Sequence, residues 1–339
     1  MGRLFPGSFA LVMATGIISS ALSLLGFRSL AIALLVANAL FFVALWILTL
    51  ARIVSYFPRV RADLRGHATG SGFFTVVAGT CVLGTQIGIV TGWYGLALGL
   101  WIAGIVLWLF LTYTFFASVI AGELKPEPSK GMHGGWLVSV VATQSVSVLA
   151  TVLVSGFPAR AQALLVTALC FSFAGAMLYV IIITLLVYRL VFSPVAPAEL
   201  SPLSWVAMGA AAISTLSGAR LLGSAGSWSF IQELRPFLLG YTLFFWSVAS
   251  WWIPLLLVLG VWRHLIRRHP LRYEPQYWGL VFPLGMYTAC TTVLARASGL
   301  GFLIVVPTVS LWIAVTAWLL TLVGMSLSIA RTLARREKS

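Results

Sequence analysis

The chain has 339 residues, 60% of them hydrophobic and only 8% charged, against about 25% charged in an ordinary soluble protein. That composition excludes a soluble globular enzyme and leaves an all-α integral membrane protein with almost no soluble mass. The net charge of +14 invites a nucleic-acid reading, which the placement of the cations excludes.

In chain order, ten apolar segments of two alternating kinds are predicted as helices, each reaching the roughly 20 residues that span a bilayer. In 21-residue windows starting at Phe5, Ser71, Gly134, Leu203 and Tyr277, the odd segments hold 10, 10, 9, 12 and 8 residues of Gly, Ala, Ser or Thr. The even segments, starting at Leu30, Leu96, Ala168, Leu238 and Leu300, hold 6, 6, 6, 5 and 6. Small residues let helix backbones approach closely, and bulky aliphatics suit lipid. The ten segments therefore read as one transmembrane domain over residues 1–339, built of five tandem hairpins at about 5–56, 71–122, 134–192, 203–265 and 276–330. Odd helices are expected inside and even helices outside, in a quasi-fivefold ring. Because only Arg3 precedes an apolar run that continues to Leu25, the N-terminus reads as a retained first helix rather than a cleaved signal peptide.

Sixteen of the 21 Lys and Arg fall on one side of this arrangement, leaving Arg28, Arg160, Arg220, Arg235 and Arg296 on the other. By the positive-inside rule both termini are cytoplasmic. The same cations suit the anionic lipid of a plasma (inner) membrane.

Cys81, Cys170 and Cys290 all lie inside apolar segments and are odd in number. They suggest neither a disulfide framework nor a metal site, and no cofactor is expected. There is no H-x-x-x-H pair, no G-x-S-x-G, no phosphate loop and no acidic dyad, so no enzyme and no catalytic residue is expected. The seven acidic residues, Asp63, Glu123, Glu127, Glu199, Glu233, Glu274 and Glu337, all lie outside the apolar cores. Cation paths and proton relays usually place a carboxylate at depth, so a path through this chain suits an anion better.

Each odd segment has a Thr near its middle: Thr15, Thr80, Thr143, Thr215 and Thr288. These either form a belt of hydroxyls along a path or bond to their own backbone, as Thr often does in membrane helices. Phe9, Phe74 and Phe282 stand six residues before three of them, a candidate aromatic belt. Arg220 and Arg296, near the outer ends of odd segments, either make a positive mouth or snorkel to headgroups. Gln86 and Gln144 are expected to bond between helices. Pro283 is the proline deep in an odd segment, and Phe282 beside it is a candidate hydrophobic gate, with ordinary packing as the alternative.

The run Tyr277-Trp278-Gly279-Leu280-Val281-Phe282-Pro283-Leu284-Gly285 resembles the ninth helix of the tellurite-resistance/dicarboxylate transporter family. That family includes bacterial TehA, plant slow-type anion channels, yeast malate permeases and fungal sulfite efflux pumps. The runs from Phe9 to Ile17 and from Gly134 to Gln144 are similar to its bacterial C4-dicarboxylate branch. The resemblance implies a homotrimer with one central path per protomer, obstructed by Phe282. It implies transport of a small organic anion, with malate favoured, or else a passive chloride or nitrate channel or a sulfite or tellurite exporter. In the channel members prolines recur along the inner helices, whereas here only Pro283 is deep, implying a narrower or straighter bore. A membrane scaffold without any path is the reading from a different class.

Overall fold

A computed structural model describes residues 4–123 and 125–336. Arg3, Glu337 and Lys338, counted among the charges above, lie outside the described residues, as do the side chains of Arg335 and Arg336. Among the described residues the chain is helical throughout, with no strand.

Ten helices carry the architecture. They are α1 (Ala10–Leu24), α2 (Arg28–Arg65), α3 (Phe74–Thr91), α4 (Tyr94–Ala121), α5 (Val138–Leu153), α6 (Ala161–Phe192), α7 (Val206–Gly223), α8 (Arg235–Val261), α9 (Trp278–Ser298) and α10 (Val305–Arg336). Taken with the short turns that adjoin them, all but α1 are long and apolar enough to cross a membrane. α1 has 15 residues, but an i→i−3 turn carries it further, with Ala10 N bonded to Gly7 O at 3.1 Å. Each later odd helix is also entered through a 3₁₀ turn: Gly70–Phe73, Gly134–Leu137, Pro202–Trp205 and Pro275–Tyr277. These turns and the linkers between hairpins define one face of the molecule, the linker face. The tight connections within hairpins lie on the opposite, loop face, where Gly92 (φ 72°) and Gly299 (φ 76°) supply left-handed backbone.

Composition decides which helices are inside. Of the most apolar stretch in α3, α5, α7 and α9, 89–100% is buried; for α2, α4, α6, α8 and α10 the share is 17–28%. In α1, residues Ala10 to Leu22 are all buried. Packing contacts run from α1 to α3, α5, α7 and α9 and back to α1. Every even helix packs against the odd helix of its own hairpin and against the next odd helix in this cycle, with α10 returning to α1.

Each of the five seams between an even helix and the next odd one holds a polar link. Asn38 Nδ2 donates to Gln86 Oε1 at 2.7 Å, Trp108 Nε1 to Thr143 Oγ1 at 2.8 Å, and Tyr179 OH to the Ala207 carbonyl at 3.2 Å. Trp246 Nε1 donates to Thr291 Oγ1 at 3.0 Å and Trp318 Nε1 to Thr15 Oγ1 at 3.0 Å. A buried donor in an apolar surround costs free energy unless bonded, so each link favours one rotation of its helices.

One boundary differs from the sequence expectation. α2 does not stop near residue 56 but bends at Tyr56 (φ −139°, ψ 36°) and continues to Arg65. Pro58 lacks an N–H and clashes with the preceding turn, which accounts for a bend just before it. The connection 224–234 contains a 3₁₀ turn, Ala225–Ser227, and a short helix, Ser229–Glu233.

Candidate functional site

The first turns of the five odd helices converge around a cavity of about 420 Å³ that opens on the linker face. Its inner wall comes from Ala10 and Met13 of α1, Thr75 of α3, Val138 of α5, Val206 of α7, and Gly279 and Phe282 of α9. Phe282 is 1% exposed and sits at the inner end of this wall. Pro283 follows it and has no N–H to give the carbonyl of Gly279, four residues earlier, so a backbone acceptor is freed beside the cavity. The close approach of α7 makes room for the ring of Pro283: a Cβ on Gly209 would stand 2.7 Å from Pro283 Cγ.

Nearer the mouth the lining turns polar, with Ser71, His133, Glu199, Ser201, Arg263, His269, Glu274 and Gln276. Glu199 accepts from Arg189 Nη2 at 2.9 Å and from the Ala196 amide at 3.0 Å. Arg263 is buried and donates through Nη1 to the Leu200 carbonyl at 2.8 Å, while its Nε has no partner. His133 accepts from the Gly135 amide on Nδ1 and donates from Nε2 to the Ala68 carbonyl, both at 3.1 Å. Burial holds its pKa below the ordinary 6.5; the Ala68 bond opposes that shift and the charge of Arg189 reinforces it.

The five mid-helix threonines are not brought together at this cavity. All five are buried and donate to the carbonyl four residues earlier, at 2.8 Å for Thr15, Thr80 and Thr143, 3.0 Å for Thr215 and 3.1 Å for Thr288. Thr15 and Thr143 also accept an indole N–H from an outer helix, and Thr288 pairs with Ser310 of α10 at 2.8 Å. In these three the hydroxyl also faces the outer layer, where a Trp or Ser offers a partner, and all five make the backbone bond that stood as the alternative to a hydroxyl belt. The expected aromatic belt divides similarly. Phe9 packs edge-on against Phe42 and Trp46 of α2, Phe74 edge-on against Phe115 of α4, and Phe282 alone of the three lines the cavity.

On the loop face, Arg296 Nη2 donates to the Leu24 carbonyl at 2.6 Å, tying α9 to the end of α1. Arg220 lies close enough for the two positive charges to act on each other, and its Nε is buried without a partner. Neither forms an ion pair among the described residues. Gln86 and Gln144 bond between helices, Gln144 Nε2 to the Ser172 carbonyl at 3.0 Å and to Tyr241 OH at 3.3 Å. Sequence reasoning counted Arg263 among the topological charges and did not see it as lining. The available signal was an Arg near the end of an outer segment with an acid ten or eleven residues later, which recurs in three hairpins.

Residues 3–326 match the family model described as SLAC1, voltage-dependent anion channel. The chain is 38% identical over 162 residues to an uncharacterized membrane protein of Mycobacterium tuberculosis, covering 48% of this chain and 82% of that protein. It is 23% and 22% identical to two uncharacterized transporters of Methanocaldococcus jannaschii, over 94% and 93% of this chain and 91% and 92% of theirs.

Proposed function

Since the chain belongs to the SLAC1 voltage-dependent anion channel family, a family of multi-pass membrane proteins of the transporter and channel type, we propose that it carries a C4-dicarboxylate such as malate along the axis enclosed by α1, α3, α5, α7 and α9. The observation that carries this reading is the cavity walled by all five odd helices and ending at Phe282. Phe282 obstructs the path until displaced. Arg220 and Arg296 form the positive mouth at the loop face, and the freed Gly279 carbonyl and Thr75 line the path below the obstruction. The linker face carries most of the cations and is cytoplasmic, in the plasma (inner) membrane, and the protein assembles as a homotrimer with one path per protomer.

Voltage sharpens the mechanism. A monoanion entering against about −100 mV costs roughly 2.3 kcal/mol and a dianion twice that. With no carboxylate in the apolar cores of the helices to relay protons, uptake takes its proton on the cargo, and its pH dependence follows the cargo's protonation. Efflux needs no such proton.

The family description itself favours a second reading, a passive channel for chloride or nitrate, with export of sulfite or tellurite-related anions as its variant. Flux in reconstituted vesicles, across a panel of anions at two pH values and two voltages, separates them. Malate flux sustains the first reading; chloride or nitrate current without malate flux replaces it with the second.

A further inference from the structure

Three outer helices carry a buried arginine toward the linker face: Arg52 of α2, Arg189 of α6 and Arg263 just beyond α8. In two of them Nη2 holds a carboxylate further along the chain, Asp63 on the continuation of α2 eleven residues after Arg52 and Glu199 in the linker ten residues after Arg189. The matching acid for Arg263, eleven residues on, is Glu274. It lines the same cavity but forms no ion pair with Arg263. Arg263 instead uses Nη1 on the Leu200 carbonyl, and neither its Nε nor its Nη2 bonds any described residue. That Nε–Nη2 edge is one side of a planar fork that fits a carboxylate with two parallel bonds.

A buried guanidinium without a counter-charge is costly. Burial at 6% exposure leaves Arg263 little water, and the cavity that it lines together with Glu274 is a space from which a counter-ion can reach it. We propose that Arg263 is the linker-face binding site for a carboxylate anion, which takes the place that Asp63 and Glu199 fill at the two equivalent arginines. Glu274 is the tethered competitor: swung onto Arg263 it would complete the pattern of the other two hairpins and shut the site. Gln276, whose Oε1 is buried without a partner, lines the same cavity. With its amide turned, it offers an N–H to the anion's second carboxylate. This site deepens the anion-transport reading and rests on it for the identity of the cavity as an entrance.

The test is titration of the purified full-length protein with succinate, with chloride as the second probe, alongside succinate flux in vesicles. Arg263→Gln keeps an N–H for Leu200 but removes the charge and the fork, and weakens succinate binding by about tenfold or more, the loss of a charge-assisted bond. Arg263→Lys, a point charge without the fork, recovers chloride binding better than succinate binding. Glu274→Gln removes the competitor and tightens succinate several-fold. Arg263→Gln protein that binds succinate as the wild type does overturns the site. So does Glu274→Gln protein with unchanged affinity, which keeps the test decisive should Arg263→Gln fail to fold. Wild-type flux with Arg263-independent binding sinks the site alone. Arg263-dependent binding without any wild-type flux upholds the site and sinks the transport reading.

Discussion

The indole of Trp318 donates to the hydroxyl of Thr15 at 3.0 Å across 303 residues of sequence, joining the last outer helix to the first inner one. Thr15 passes its own proton to the Leu11 carbonyl at 2.8 Å. Both groups are buried in an apolar layer, so this link helps select the rotation at which α10 meets α1. Without a hydrophobic force between helices in lipid, close packing and such bonds are what hold the cycle shut.

Thr15→Val and Trp318→Phe are each expected to lower stability by about 1 kcal/mol, within the range measured for hydrogen bonds between membrane helices. The losses overlap, so the double variant costs less than their sum. Reversible unfolding of the four proteins in detergent measures this, and strictly additive losses would show that the bond contributes nothing. Flux per folded protein stays at the wild-type level in Thr15→Val, since the hydroxyl faces the outer layer. A flux defect at full stability would return Thr15 to the path.

The layering was legible in the sequence because burial here follows composition: the segments rich in small residues pack on two sides, and the aliphatic ones face lipid. Phe282 was legible because a bulky ring beside a deep proline stands out in a helix of small residues. The partners of Thr15 and Thr143 were not. Which way a hydroxyl points depends on helix rotation, and that is set by indoles 303 and 35 residues away in sequence. Arg263 was hidden because in sequence it is one of four arginines between residues 263 and 272. Only its burial separates it from its solvated neighbours.

If Phe282 is the proposed gate, Phe282→Ala is expected to raise anion flux by about tenfold or more, since a hydrophobic constriction that excludes water blocks ions. Phe282→Trp keeps the path shut. If the ring served packing alone, its truncation would cost roughly 3–5 kcal/mol as in any core, and flux would not rise. Measuring both melting and vesicle flux on the same preparation distinguishes the two, and lost stability with unchanged flux sinks the gate.

Acid should loosen the linker face through His133. Its bonds to Gly135 and Ala68 suit the neutral ring, because protonation of Nδ1 removes the acceptor for Gly135. Burial first, and then the charge of Arg189, hold the folded pKa below 6.5, with the Ala68 carbonyl opposing them. The unfolded chain therefore binds more protons below about pH 6.5, and stability falls as the pH drops through that point toward the lower folded value. Above it this contribution is fully present. Melting temperatures taken between about pH 7.5 and pH 5.5 should show the loss, and His133→Asn, whose amide oxygen can still accept from Gly135, should flatten it. An acid slope that is the same in both proteins assigns the effect elsewhere.

The entrance is built by backbones in contact, and Gly134 is one place where that contact is close. A Cβ there would lie 2.4 Å from the Leu203 carbonyl oxygen, 2.9 Å from its carbon and 3.0 Å from Ser204 Cα. All three are main-chain atoms of the turn entering α7, so no side chain can rotate away, and the turns entering α5 and α7 must separate. Gly99, on the outer helix α4, has nothing within 4 Å of its Cβ position. Gly134→Ala is therefore expected to cost about 1–3 kcal/mol, the usual range for forced overpacking. Gly99→Ala should be neutral or stabilising, because Ala favours helix over Gly. Leu203, Val206, Gly135 and Val138 all line the cavity, so parting these turns also reshapes its mouth. Succinate affinity should fall in Gly134→Ala and hold in Gly99→Ala. Equal melting temperatures for the two variants would mean that the α5 and α7 entry turns are free to move apart, and that the cavity's shape does not depend on their contact.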